Sequence, residues 1–307
     1  MLRFIGRRVW DGGLTLAALV TLTFFVMRLA PGGPFSKSRK ISPEILANIQ
    51  KTYHLDEPVW MQFGRYVKGL VTFDLGPSTR FRDYTVGDMI SAGLPWSVTI
   101  GIWAIIVATL IGVALGVAGA MRRNSAADYV AGIVGVVGVA VPIFVIGPLL
   151  QSVFALRLGW VPVGGIGAGW RALVLPILVL ALPNVAYISR LTRSSMIETL
   201  RENYVRTARA KGVGAARMVR RHVLKGTLLP VIAYLGPATA AIITGSILIE
   251  TIFALPGIGR HFVDAALNRD YPLVMGITLL YGALLIVLNI ATDLIRAWID
   301  PRLRNGR

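Results

Sequence analysis

Residues able to do chemistry are sparse in this chain of 307 amino acids, and their spacing argues against catalysis. His54, His222 and His261 stand far apart, and none has the HExxH spacing that sets two imidazoles on one helical face for a metal. Gly245-Ser246 lacks a GxSG surround and the last apolar run holds no histidine, so a nucleophile has no base. A GxxxxGKS/T loop is missing, which leaves nucleotide phosphates without their usual cradle. The glycine-rich stretch 164–169, between Trp160 and Trp170, has no lysine and reads as a flexible connection. With no cysteine, neither disulfides nor thiol chemistry is available. The expectation is no catalytic site and no metal site.

What remains is a dense basic segment, residues 202–224, reading ENYVRTARAKGVGAARMVRRHVL. From residue 196 to 211, Met196, Ile197, Leu200, Tyr204, Val205 and Ala208 recur at the spacing of one helical face, with Arg201, Arg206 and Arg209 around it. Gly212-Val213-Gly214 permits a sharp turn. A second helix, carrying Met218, Val219, His222 and Val223, then leads through Pro230 into apolar sequence. Periodicity alone leaves two readings open: a solvated amphipathic hairpin held to lipid headgroups, or a docking element for a soluble partner.

The elements that position this segment are membrane helices. Hydrophobic residues make up 55% of the chain and the mean hydropathy is +0.66, too apolar for a soluble domain. A hydrocarbon core about 30 Å thick needs about 20 apolar residues of helix. Uncharged runs at 12–27, 97–121, 129–156, 172–189, 226–249 and 271–292 predict six spans. The first and fourth runs are short, so their helices should extend past Trp10 and Arg190. The start has no small-x-small cleavage site and reads as a retained first span.

Lysine and arginine set the orientation. Arg3, Arg7 and Arg8, then Arg122 and Arg123, ten basic residues from Arg190 to Lys225, and Arg296, Arg302, Arg304 and Arg307 fall on one side. Both termini are therefore expected to be cytoplasmic. The division that follows is residues 1–30 for the N-terminus and first span, 31–96 for an external segment, 97–292 for a five-helix core containing a cytoplasmic loop at 190–225, and 293–307 for a tail. The net charge of +17 invites a nucleic-acid reading, but the excess lies where membrane insertion alone puts it. In the external segment Ser42-Pro43 should start a helix with Ile45, Leu46, Ile49 and Tyr53 on one stripe. A second should follow Pro58, with Trp60, Phe63, Val67 and Leu70 on its apolar side, and a third should start at Thr85. These pieces lie on the membrane surface or on neighbouring helices, or form a docking surface for an external partner.

Inside the membrane, Gly112, Gly116 and Gly119, and Gly132, Gly135 and Gly138, allow close helix approach. Pro142, Pro148, Pro176 and Pro183 should interrupt the third and fourth spans. Arg28, Asp128, Glu250 and Asp293 sit near span ends, as interfacial or paired charges do. A secondary carrier would need related halves and mid-membrane polar groups, and an intramembrane enzyme a buried nucleophile; neither pattern is found.

Residues 206–212, RTARAKG, resemble the cytoplasmic EAA-type loop of bacterial ABC importer permeases. The motifs MRLAPG at 27–32, YHL at 53–55, PGIG at 256–259, ALNRDY at 266–271 and IDP at 299–301 resemble the B-type membrane subunit of the oligopeptide, dipeptide and nickel permease family, over nearly the whole chain. Arg206, Thr207 and Lys225 depart from the general EAA pattern, where Glu, Ala and Pro are usual, while Gly212 and Leu224 keep their places. The resemblance implies an all-α integral membrane protein with the type I ABC importer permease fold, multi-pass in the bacterial inner membrane. It also implies a C-type permease partner, two ATPase subunits of D- and F-type, a periplasmic peptide-binding protein, and surrounding membrane lipid. ATP and magnesium would be bound by the ATPases, with no cofactor in this chain. The ATPase-coupling helix would comprise Tyr204, Val205, Arg206, Thr207, Ala208, Arg209, Ala210, Lys211 and Gly212. Oligopeptide import is the expected activity, with dipeptide, nickel or glutathione import as the alternative. A wide polar passage for peptides would be lined by Asn184, Tyr187 and Glu250.

Overall fold

Long apolar runs interrupted by glycine and proline must satisfy their backbone polar groups internally, and in this chain helices do so. The computed structural model describes residues 2–29, 56–81 and 83–299; the expected helix after Ser42, the motif at 53–55 and His54 lie outside the described residues. Among the described residues the structure is helical apart from an isolated bridge between Pro77 and Thr85. The helices are α1 (Leu2–Leu29), α2 (Val59–Val71), α3 (Val86–Met121), α4 (Ala126–Ala140), α5 (Ile143–Leu150), α6 (Val174–Thr199), α7 (Asn203–Ala210), α8 (Ala215–Met218), α9 (Leu224–Gly245), α10 (Ile247–Ile252), α11 (Ile258–Asn268) and α12 (Tyr271–Ile299). Wider π-type turns extend α5 through Gln151–Arg157 and join α8 to α9 through Val219–Val223.

Five helical stretches among the described residues are long and apolar enough to cross a membrane: Ile5–Leu29, Val86–Met121, Gly169–Thr199, Ala215–Ile252 and Tyr271–Ile299. The first and fourth runs extend past Trp10 and Arg190, as their short apolar lengths require. The third run is divided. Val141, which precedes a proline, is extended at φ −94°, ψ 121°, so α4 ends there and Pro142 opens α5. Pro183 has a milder effect and stays inside α6.

The chain divides into two units. The first, Met1–Arg8, Trp96–Leu255 and Leu285–Arg307, is organised around α6, whose span is 56% buried against 6% for that of α1. Glycines bring other helices onto α6. A Cβ on Gly112 would stand 2.9 Å from Ile188, one on Gly116 2.6 Å from the Ser189 carbonyl oxygen, and one on Gly138 2.8 Å from the Leu182 carbonyl oxygen. Only hydrogen fits there, so α3 and α4 approach α6 at backbone distance. Ile100, Val179, Val185, Ile188, Val231 and Phe253 form the buried core.

The second unit is Val9–Pro95 with Pro256–Leu284. Phe24 of α1 meets Phe63 and Tyr66 of α2, with ring centroids 5.2 and 5.7 Å apart. The buried side of α2 is therefore turned away from Trp60, which is 67% exposed. Thr85 starts α3 with a reciprocal cap: its N–H donates to the Asp88 carboxylate at 3.0 Å, and the Asp88 N–H donates to its hydroxyl at 3.1 Å. The ALNRDY motif makes a tight corner. Arg269 adopts left-handed backbone at φ 58°, and the fully buried Asp270 accepts from the Ser78 hydroxyl and the Thr79 N–H, tying the 78–81 loop to the start of α12.

Candidate functional site

The basic segment is a hairpin between α6 and α9, and its shape follows from local chemistry. The stripe expected along residues 196–211 is broken at residues 200–202, so α6 and α7 are separate helices that share one seat. Val205 is 0% and Ala208 7% exposed, packed in a cluster with Ala120, Met196, Met218 and Val223. Ile197 and Leu200 pack partly buried against it, and Val213 closes the C-terminal side. Gly212 has φ 76°; its N–H bonds to the Arg209 carbonyl at 3.0 Å and the Val213 N–H to the Ala208 carbonyl at 3.2 Å. That pair of bonds is a Schellman cap, in which a left-handed glycine ends a helix and an apolar residue folds back on it. Gly214 then caps α8.

Two residues of α7 point inward, and Arg206, Thr207, Arg209, Ala210, Lys211 and Gly212 lie on the exposed side. Tyr204 is half exposed; burial, with help from the Glu202 carboxylate, pushes its phenol above the ordinary range. A Cβ on Gly226 would stand 3.3 Å from the Tyr204 hydroxyl oxygen and 3.2 Å from Thr199 Cγ2. The base of α7, the end of α6 and the start of α9 thus meet at one point. Among the described residues no carboxylate pairs with Arg206, Arg209 or Lys211. The exposed face is cationic, helical and fixed at both ends, suited to a groove on another protein.

The polar residues expected along a passage separate into two places. Asn184 accepts a hydrogen bond at 2.8 Å from the Tyr234 hydroxyl, and the Tyr234 ring stacks on Tyr187 at 4.3 Å. Asn184 and Tyr234 border a cleft of about 360 Å³ whose other walls include Pro183, Pro237 and Ile143. Each proline withholds one backbone donor, which leaves the Val179 and Ala233 carbonyls without their usual helical partner. Glu250 is not in that cleft. It is fully buried, and the hydroxyls of Ser97 and Ser246 donate to the same carboxylate oxygen at 2.6 and 2.5 Å, tying α3 to the junction of α9 and α10.

Sequence reasoning missed Tyr234, although a lone tyrosine three residues before Pro237 in an apolar run was a visible signal. Ser97 and Ser246 had none. The charges near span ends are engaged: Asp128 with Arg193, Asp293 with Arg8 at 3.1 Å, and Arg28 over the Phe24 ring at 5.3 Å. No group of three or more metal-ligating side chains occurs among the described residues.

Residues 108–305 match the model for "Binding-protein-dependent transport system inner membrane component", and residues 1–87 match that for the N-terminal membrane component of the same systems. The chain belongs to the family of binding-protein-dependent transport system inner membrane components. Its relatives include the oligopeptide transport system permease protein OppB of Salmonella typhimurium, 48% identical over 99% of this chain and 100% of the relative. The dipeptide transport system permease protein DppB of Bacillus subtilis is 40% identical over 99% of this chain and 98% of the relative. A solved structure of the MetNI methionine ABC transporter, inward facing, is 14% identical and superposes with a TM-score of 0.54 over 69% of this chain and 96% of that one, sharing the fold. This permease is a multi-pass inner-membrane transport component rather than an enzyme.

The seat under α7 makes a definite demand. Val205→Asp places a carboxylate in an apolar pocket, a cost of several kcal/mol unless the helix leaves it. Limited trypsin digestion of the solubilised protein should then cut at Arg206, Arg209 and Lys211 much faster than in the wild type, with the spans intact. Unchanged cleavage rates would show that α7 is not held by this seat.

Proposed function

We propose that this permease imports oligopeptides, with its coupling helix, residues 204–212, seated in a cytoplasmic ATPase. The observation that carries the reading is α7 itself: two residues clamp it to the spans and the remainder presents cations outward. Counting the divided α4–α5 stretch as one, six crossings would set both termini on one side of the membrane, and the distribution of arginine and lysine supports the cytoplasmic side. Residues 31–96 then face the periplasm, where a peptide-binding protein delivers cargo, and 293–307 form a cytoplasmic tail. A similar C-type permease completes the passage, and two ATPase subunits of D- and F-type bind ATP and magnesium. Oligopeptides are favoured over dipeptides because the OppB relative is more similar, at 48% against 40%.

The mechanics follow from the anchoring. ATP favours the closed ATPase pair, and a ligand shifts an equilibrium only by binding one state better than the other. The hairpin converts that preference into motion because Tyr204, Thr199 and Gly226 meet at the feet of α6 and α9, so a displaced α7 carries both helices. A peptide crossing between them needs partners for its main-chain amides, since an unmatched amide costs about 1–3 kcal/mol. Asn184 and Tyr234, with Tyr187 stacked on the Tyr234 ring, supply donors and acceptors without a fixed charge. That arrangement suits cargo of varied sequence. Glu250 serves as a tie holding α3 against the α9–α10 junction.

Gly212→Val should leave the complex assembled but lower peptide transported per ATP hydrolysed in proteoliposomes, because a β-branched residue at φ 76° strains the cap by roughly 1–2 kcal/mol. Wild-type coupling would contradict the lever. Asn184→Leu combined with Tyr234→Phe should slow transport of all tested peptides several-fold while docking of the loaded binding protein stays normal. Normal transport rates would remove the cleft from the passage.

A further inference from the structure

A second groove plays no part in the mechanism above. It lies between α4 and α6, has a volume of about 560 Å³, and is polar at one end and apolar along its length. At the polar end Arg193 grips Asp128 with both nitrogens, Nε to Oδ1 at 2.6 Å and Nη2 to Oδ2 at 2.9 Å, and the Asn124 N–H adds a third bond to that carboxylate at 3.1 Å. Asp128 and Arg193 therefore neutralise each other. Arg190, one turn away on α6, has no carboxylate partner among the described residues. Its stem lies along α4: Cγ and Cδ would each be 3.6 Å from a Cβ on Gly135. The turn leading into α4 adds Arg122 and Arg123.

The rest of the groove is the opposite in character. Tyr129, Ile133 and Val136 are 68%, 62% and 65% exposed, on one face of α4. From Tyr129 to Val137 the helix rises about 12 Å at 1.5 Å per residue, close to the roughly 15 Å acyl depth of one leaflet. An arginine facing lipid beside an apolar groove is costly unless an anion meets it. Phosphate is the anion that a bilayer supplies at the head of an apolar chain.

We propose that this groove is a binding site for an anionic phospholipid, its phosphate held by Arg190 and one acyl chain lying over Ile133 and Val136. Asp128 and Arg193 act as positioning residues that fix α4 against α6 and so set the groove's width. The site requires the chain to be in a membrane, which the family establishes, and does not depend on the peptide cargo or the ATPase contact.

The test uses the assembled transporter, exchanged from detergent into nanodiscs of phosphatidylcholine with a minority of phosphatidylglycerol, then released for native mass spectrometry. Wild-type complex should retain phosphatidylglycerol in preference to phosphatidylcholine. Arg190→Gln should weaken that retention roughly fivefold, the worth of one cation near an anionic leaflet, and Arg190→Lys should keep most of it. A photoreactive amino acid at position 133 of the otherwise wild-type chain should label lipid. Equal retention by Arg190→Gln, or labelling at position 133 directed to a partner subunit, would overturn the proposal; in the second case the groove belongs to a protein interface.

Discussion

The burial of Val205 and Ala208 is the contact on which the functional reading depends. A loop between two membrane spans is free to move by itself unless something couples it to them. Full burial of one valine is worth roughly 1.5–3 kcal/mol, and the same cluster gathers Ala120 from α3, Met196 from α6, and Met218 and Val223 from the segment leading into α9. One small apolar seat therefore ties α7 to three helices. The Gly212 cap fixes where α7 stops and turns, and the Tyr204–Gly226 approach joins it to the foot of α9.

The membrane imposes a second constraint with the same outcome. Lipid offers no hydrophobic drive between helices, so α3 and α4 adhere to α6 through glycines that admit its backbone carbonyls. Gly112, Gly116 and Gly138 each leave room for a hydrogen atom and little else. Two buried carboxylates are also engaged, Glu250 by two serine hydroxyls and Asp270 by the 78–81 loop. The proline-bordered cleft holds one polar pair, the Tyr234 hydroxyl bonded to the Asn184 side chain.

Much of this was legible in the sequence where the signal is local. Apolar run length located five long helices, Thr85 announced the start of α3, and Gly212-Val213-Gly214 announced the turn after α7. Non-local pairings left no such trace. Asp128 and Arg193 lie 65 residues apart, and Ser97 and Glu250 lie 153 apart, so no periodicity links them. The prolines show the limit of composition as a guide: Pro142 divides a helix because Val141 adopts extended backbone, whereas Pro183 stays inside α6, whose neighbours hold it. The stripe from Met196 to Ala208 was correct as a buried face and wrong as one continuous helix. Glu202, extended at φ −62°, ψ 146°, turns the chain so that both ends of the stripe pack into the same cluster.

The lever assignment meets its most direct test in the assembled transporter with a photoreactive residue at position 206, on the exposed face of α7. Cross-links should form to an ATPase subunit, with a yield that changes between the nucleotide-free and ATP-bound states. Cross-links confined to lipid or to the other permease, with the ATPase unlabelled in every nucleotide state, would contradict it.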